Sequence, residues 1–441
     1  MKSMSKAGCA ALILLLGLGA CSGNNNKIGS TVKGTRVAIM DHSKSLQADS
    51  AVASMKPELP AVVNNDAWPQ AGYDSSHVLL HANVGDKPRE KWSTSIGQGS
   101  SDDFKILARP VVKDGMIFAM DAEGNVTAVA AGDGDVKWNF DTSPEDRDQP
   151  AIGGGIGVEG ATVYVTTGFG EVIALDAASG KVKWRHSLQN PIRAAPTISG
   201  GKVYAVTIDN QLSALNAATG DVEWQHHGIT ESATLMGASN PAVVGDSVVV
   251  AYGSGEIYDL RAENGRVSWN YGLTTPTQIG ALPAIADIRG LPIIDRGHVY
   301  AISHSGRMAS IDQRTGDRAW EADIGGINTP VVAENTIYIL SNDGQLIALA
   351  RDSGRIMWVN ELQKLSDPED KDSDPVFWIG PVLGGNRLWM TNSLGELVSF
   401  SPEDGKPIAS LDVGDAVYVP PVIANGTIYV VTDNGELVAL R

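Results

Sequence analysis

Cysteine is nearly missing from this chain. Its 441 residues hold two, Cys9 and Cys21, and both stand close to the N-terminus. The body of the protein therefore has neither a free thiol nor a disulfide, and its stability has to come from packing. Basic charge is scarce as well, with 34 Lys and Arg against 51 Asp and Glu, for a formal net charge of −17. A surface of that sign repels phosphate backbones and anionic lipid, so no nucleic-acid partner is expected. The one long apolar run, residues 10–18, is too short to cross a bilayer. Helical periodicity is almost absent after Trp68. Aromatic residues make up 6% of the chain, yet ten of them are Trp, and their placement is regular.

The N-terminus reads as a targeting segment and is set apart from the fold. Lys2 and Lys6 supply a basic start, residues 10–18 an apolar stretch, and Leu18-Gly19-Ala20-Cys21 a close that resembles a lipobox. That resemblance implies a signal peptide over residues 1–20, cleavage before Cys21 and lipidation of the Cys21 thiol. Ser22 in place of Asp implies, by the same resemblance, forwarding to the outer membrane. The alternative is an ordinary secretory signal in which Cys21 is incidental. Residues 21–66 are rich in Ser, Asn, Lys and Ala and read as a lipidated tether. Within them only residues 36–40, RVAIM, are apolar, and these alternatively dock as an extended strand.

From residue 67 to 441 one unit recurs. GEVIALDAASGKVKW starts at Gly170, and altered or partial copies start at Gly124, Asn210, Gly255, Gly306, Gly344, Gly395 and Gly435. Each reads as short antiparallel strands joined by tight turns, as in 163–167, 171–177 and 181–186. Ten positions after each start stands Gly134, Gly180, Gly220, Gly265, Gly316, Gly354 or Gly405, where a hairpin loop ending at positive φ excludes a Cβ. Two positions after each start the side chain is always apolar, and runs such as VIAL and LVAL suit strands covered on both faces. Fourteen positions on stands Trp138, Trp184, Trp224, Trp269, Trp320 or Trp358, with Ala409 the exception. A large ring recurring once per sheet predicts a wedge between neighbouring sheets.

The ends decide between an open array and a closed ring. The eighth copy stops at Arg441 before its Gly and Trp, while REKWSTSIG near the N-terminus carries Trp92 and belongs to no earlier copy. Together the two make one blade. The spacing from Trp92 to Arg441 averages about 44 residues over eight blades, inside the ~40–50 expected of propellers. The prediction is an all-β, eight-bladed β-propeller of four-stranded antiparallel blades, closed by pairing the N-terminal strand with the C-terminal blade.

Motifs for chemistry are weak. Gly155-Ile-Gly157-Val-Glu-Gly160 matches a dinucleotide fingerprint but runs into a β segment rather than a helix. Asp370, Asp372 and Asp374 resemble the start of a calcium loop, but Pro375 stands where the turn glycine is required, so they read as a solvated acidic loop. No H-E-x-x-H, C-x-x-C or G-x-S-x-G spacing is present. No cofactor and no metal are expected.

The repeat G-x-h-x-A-h-D-A-x-[ST]-G-x-x-x-W resembles the tryptophan-docking repeat of pyrroloquinoline quinone (PQQ) dehydrogenases, and Trp68-Pro-Gln-Ala-Gly resembles their opening segment. Those enzymes implies a cofactor clamp of adjacent cysteines, which this body lacks. Lipobox, short tether and bare eight-bladed ring together resemble the BamB family of accessory lipoproteins of the outer-membrane β-barrel assembly machinery. This resemblance implies a non-enzymatic scaffold, anchored on the periplasmic face of the outer membrane, that binds the periplasmic domains of the barrel-forming subunit alongside other lipoproteins of the complex. The family's two contact loops align with residues 233–241 and 287–292, which implies partner contacts at Leu235, Met236, Asp287 and Arg289. Met236 stands where the family has a basic residue and Arg289 where it has a second acid. Three alternatives stay open: a PQQ-dependent dehydrogenase, a propeller that binds envelope glycans, and a purely local role for Leu235 and Asp287 within their own loops.

Overall fold

A computed structural model describes residues 46–145, 150–230, 237–273 and 287–441. Cys21 and the apolar run 36–40 lie outside these, as do Leu235 and Met236. No α-helix occurs among the described residues, and so none long and apolar enough to cross a membrane. The strands form eight four-stranded antiparallel sheets, the blades of a closed propeller. Seven blades are continuous in sequence: 111–140, 154–187, 197–227, 242–272, 293–322, 331–361 and 378–412. The eighth joins residues 422–440 to Glu90–Ser95, which pairs antiparallel with Glu436–Leu440 and sets Trp92 opposite Ala439. A strand from the N-terminal part of the chain thus pairs with the C-terminal strand and closes the ring, leaving only the short outer edge of each blade. Gly154–Glu159, the fingerprint-like stretch, is the innermost strand of the second blade.

Burial follows the sequence pattern. The third strands are apolar on both faces because a neighbouring blade covers each side; Val172 to Leu175 are fully buried. The outermost strands alternate exposed and half-buried, as in Val182–Ser187. A register shift recurs where each third strand meets its outer partner, for example between Ala174 and Leu175. The bulge brings Trp184 opposite small Ala174 and strengthens the local twist.

The recurrent Trp and Gly form one joint between successive blades. Each indole lies on the turn glycine of the next blade: Trp138 on Gly180, Trp184 on Gly220, Trp224 on Gly265, Trp269 on Gly316, Trp320 on Gly354 and Trp358 on Gly405. At Gly220, with φ +79°, a Cβ would sit 2.6 Å from the Trp184 ring, so the glycine serves close approach as well as the turn. Five of these indoles donate to a carbonyl of the next blade, as Trp184 Nε1 does to the Ala217 oxygen at 3.0 Å. Trp92 packs on Gly134 in the same way and carries the joint across the closure. Ala409 breaks the series where the series has nothing to hold, because the two outer strands of the eighth blade, Glu436–Leu440 and Glu90–Ser95, come from separate parts of the chain and no turn glycine joins them.

On the axis a different device operates. Residues 63–84 form a strap that runs around the inside of the ring and bonds to the innermost hairpin of blade after blade. Trp68 exchanges two backbone bonds with Val112, and Val158 donates to the Pro69 carbonyl. The Gln70 amide pairs with the backbone of Ile198 in both directions. Val243 donates to the Ser75 carbonyl, Ile294 to that of Ser76, and Ala82 donates to the Leu383 carbonyl. Asn65 reaches the Ile423 carbonyl at 2.6 Å. The ring of Trp68, on the strap itself, is fully buried and stands edge-on to Tyr73. Further toward the N-terminus the strap is continued by residues packed on the sixth blade, where Asp49 donates to the Ile356 carbonyl and Glu58 to Asn335.

Candidate functional site

A proline immediately precedes the innermost strand in six blades: Pro110, Pro196, Pro241, Pro292, Pro330 and Pro421. A residue without an N–H fits the first position of a strand, where no ladder bond is donated. The residues just ahead of these prolines enter the ring at the axis. They line a cavity of about 80 Å³ whose far side is the strap residue Ala71.

Three arginines share that cavity. Arg109 lies one residue before Pro110, Arg193 three before Pro196 and Arg289 three before Pro292. Arg109 donates to the Ala71 carbonyl at 2.9 Å and to Thr329 Oγ1 at 3.4 Å, both neutral acceptors. Burial, and secondarily the charge of Arg289, holds its guanidinium down at about 10. Arg289 is also lowered by burial, with the Asp287 carboxylate opposing. Arg193 packs against Gly153, whose φ of +122° and missing Cβ leave room for it, and its Nε is buried without a hydrogen-bond partner. Among the described residues no acidic side chain lines the cavity.

His77, on the strap, is fully buried beside this group. Its Nδ1 lies 2.7 Å from the Pro292 carbonyl, which only accepts, so Nδ1 carries the proton. Its Nε2 receives the Asn240 side-chain N–H at 3.3 Å. A neutral ring satisfies both contacts, and burial, aided by the Arg109 charge against the pull of the Pro292 carbonyl, pushes the imidazole down to about 4.

Of the residues read from the sequence as partner contacts, Asp287 and Arg289 stand together, two positions apart ahead of Pro292. Asp287 is buried, and its backbone carbonyl accepts from His304 at 2.9 Å. Its side chain borders a smaller space of about 20 Å³ shared with Arg193. Arg289 is half-buried on the axial cavity. Ile288 and Leu291 between and beyond them are buried, so part of the apolar stretch 270–297 is core. The acidic residues Asp370, Asp372 and Asp374 are exposed. Among the described residues no group of His, Cys, Asp or Glu stands close enough together to hold a metal ion. Arg109, Arg193 and His77 are not marked by any motif; the signal that finds them is their nearness to the pre-strand prolines and to Trp68.

Fold and hub define a strap-filled eight-bladed propeller of the PQQ-like repeat class. The model of the outer membrane protein assembly factor BamB family matches residues 79–151, 143–360 and 366–441, and the chain belongs to that family. It is 27% identical over 360 residues to the outer membrane protein assembly factor BamB of Salmonella typhimurium, covering 80% of this chain and 88% of that one. The crystal structure of BamB from Moraxella catarrhalis superposes with a TM-score of 0.68 at 21% identity, over 80% of this chain and 99% of that one. Quinohemoprotein alcohol dehydrogenase from Comamonas testosteroni superposes with a TM-score of 0.67 at 15% identity, over 85% and 80% of the two chains, a likeness of fold alone. Membership is thus of a family of assembly factors, and the propeller is non-enzymatic.

Proposed function

We propose that this protein is a lipid-anchored scaffold of the outer-membrane protein assembly complex, facing the periplasm, that binds the periplasmic domains of the barrel-forming subunit and assists insertion of β-barrel proteins. The match of the family model along nearly the whole propeller carries this reading. The lipobox-like Leu18-Gly19-Ala20-Cys21 supports anchoring through Cys21. The contact is assigned to the connections that hold Leu235 and Met236 and, next to them along the ring, Asp287 and Arg289, with the apolar pair as anchors and the charged pair fixing orientation.

Two experiments test it. A palmitate analogue fed to cells should label the wild type and not Cys21→Ser; an unlabelled, soluble wild-type product contradicts the anchor. Co-purification should recover the barrel-forming subunit with the wild type, and truncating an anchor should weaken it about 5- to 150-fold. If Leu235→Ala/Asp287→Ala keeps its circular dichroism and recovers the subunit at wild-type affinity, these connections are not the interface. Stoichiometric binding of PQQ with Ca²⁺, followed by turnover with an artificial acceptor, would reverse the ranking of scaffold over dehydrogenase.

A further inference from the structure

We propose that the axial cavity is a binding site for one small oxyanion, a phosphate or carboxylate group held among the guanidinium groups of Arg109, Arg193 and Arg289. The site shares Arg289 with the proposed partner contact, but the inference does not rest on the scaffold reading.

The charge balance points there first. The protein as a whole is strongly acidic, yet three arginines near the starts of three different blades converge on one partly open space that no carboxylate lines among the described residues. Asp287 stands beside Arg289, so the cluster has one acid for three bases. Like charges brought together out of bulk water repel, and such an arrangement is stabilised by a counter-ion of the opposite sign.

The hydrogen-bonding inventory points the same way. The Nε of Arg193 is fully shielded and has no hydrogen-bond partner among the described residues. A buried donor left unmade is costly, more so when it carries charge. Arg109 spends one N–H on the Ala71 carbonyl and one on Thr329, which leaves further donors of its planar fork uncommitted. Asn328, also in the lining, accepts at Oδ1 from the Gly380 amide and keeps its own N–H₂ for another partner. The donors are many and the acceptors few, the signature of an anion site.

Size and access limit the occupant. A space of about 80 Å³ takes a few waters or one group of phosphate or carboxylate dimensions. The strap covers the axis at Ala71, so the ligand enters from the face that carries the pre-strand prolines.

The test is thermal unfolding of the purified protein in potassium phosphate and, separately, sodium acetate, each against sodium chloride at matched ionic strength. A saturable rise in Tm is expected in at least one arm; at about 100 times Kd the folded-to-unfolded ratio rises about 100-fold. The arm that saturates at the lower concentration distinguishes a tetrahedral from a planar oxyanion. Arg193→Gln, which removes a guanidinium whose Nε has no hydrogen-bond partner among the described residues, should melt normally in chloride and lose the response, with Kd raised about 10-fold or more. Arg314→Gln, on an exposed arginine far along the chain, should keep it. If Arg193→Gln does not fold, calorimetric titration of the wild type decides: one site per chain for phosphate or acetate supports the proposal, and no heat beyond that of chloride overturns it. A response equal to chloride in both arms, or one unchanged in Arg193→Gln, also overturns it.

Discussion

The rim and the hub hold the same ring by opposite means. At the rim one joint is used again and again, an indole laid on the next blade's turn glycine with its N–H on a backbone carbonyl. At the hub nothing repeats: each blade meets a different residue of the strap, by backbone at Trp68, by side-chain amide at Gln70, by hydroxyl and carbonyl at Ser75. The rim is uniform because every pair of blades poses the same geometric problem. The hub is singular because the blades share one axis and a single strap presents a different stretch of its sequence to each blade it meets. Asymmetry of charge, in Arg109, Arg193, Arg289 and His77, collects at the hub and is absent from the rim joints.

If that contrast is right, damage at the hub should be more severe than damage at one rim joint. Trp68→Ala removes a fully buried ring of the strap and should cost about 3–5 kcal/mol in urea denaturation. A loss no larger than that of a surface substitution would show that the strap is dispensable.

The hub should also carry a pH dependence that the rim does not. The unfolded imidazole titrates near 6.5 and the buried His77 near 4, so the unfolded state binds the extra proton first. Stability from this group is complete above pH 6.5, falls as the pH drops toward 4 and is lost below it, by roughly 3 kcal/mol. Chemical denaturation between pH 7 and 4 should show the slope, and His77→Gln should flatten it.

A smaller loss is expected at the rim. Gly220→Ala puts a Cβ on the Trp184 ring at positive φ and should cost about 1–3 kcal/mol. In a Trp184→Ala background the same change should cost less, and the difference in a double-mutant cycle measures the joint. Additive costs would mean that the turn, and not the indole, dictates the glycine. Smallest of all is Ala409→Trp, which adds the missing ring where no turn glycine awaits it and should change stability by no more than about 0.5 kcal/mol.

The same contrast explains what could be read without a structure. Blade number, strand limits and closure through Trp92 were legible because a geometric need repeated eight times leaves a periodic trace. The exception at Ala409 was visible but not its cause, since the joint links the Trp of one copy to the Gly of the following one, and a copy-by-copy alignment separates them. The strap left little trace beyond Trp68-Pro-Gln-Ala-Gly, because its bonds are mostly backbone and its side chains follow no period. Arg289 was marked by its place in an acid-to-proline loop, while Arg109 and Arg193 sit in loops with no such motif and meet it only across the axis.

Hydrogen exchange of the protein alone and with the purified periplasmic domains of the barrel-forming subunit tests most directly the claim that the rim is structural and the connections beside the hub carry the function. New protection is expected in the connections 228–241 and 273–292, with the outer turns at Asp176–Gly180 and Asn216–Gly220 unchanged. Protection confined to those outer turns, with none in the two connections, would contradict it.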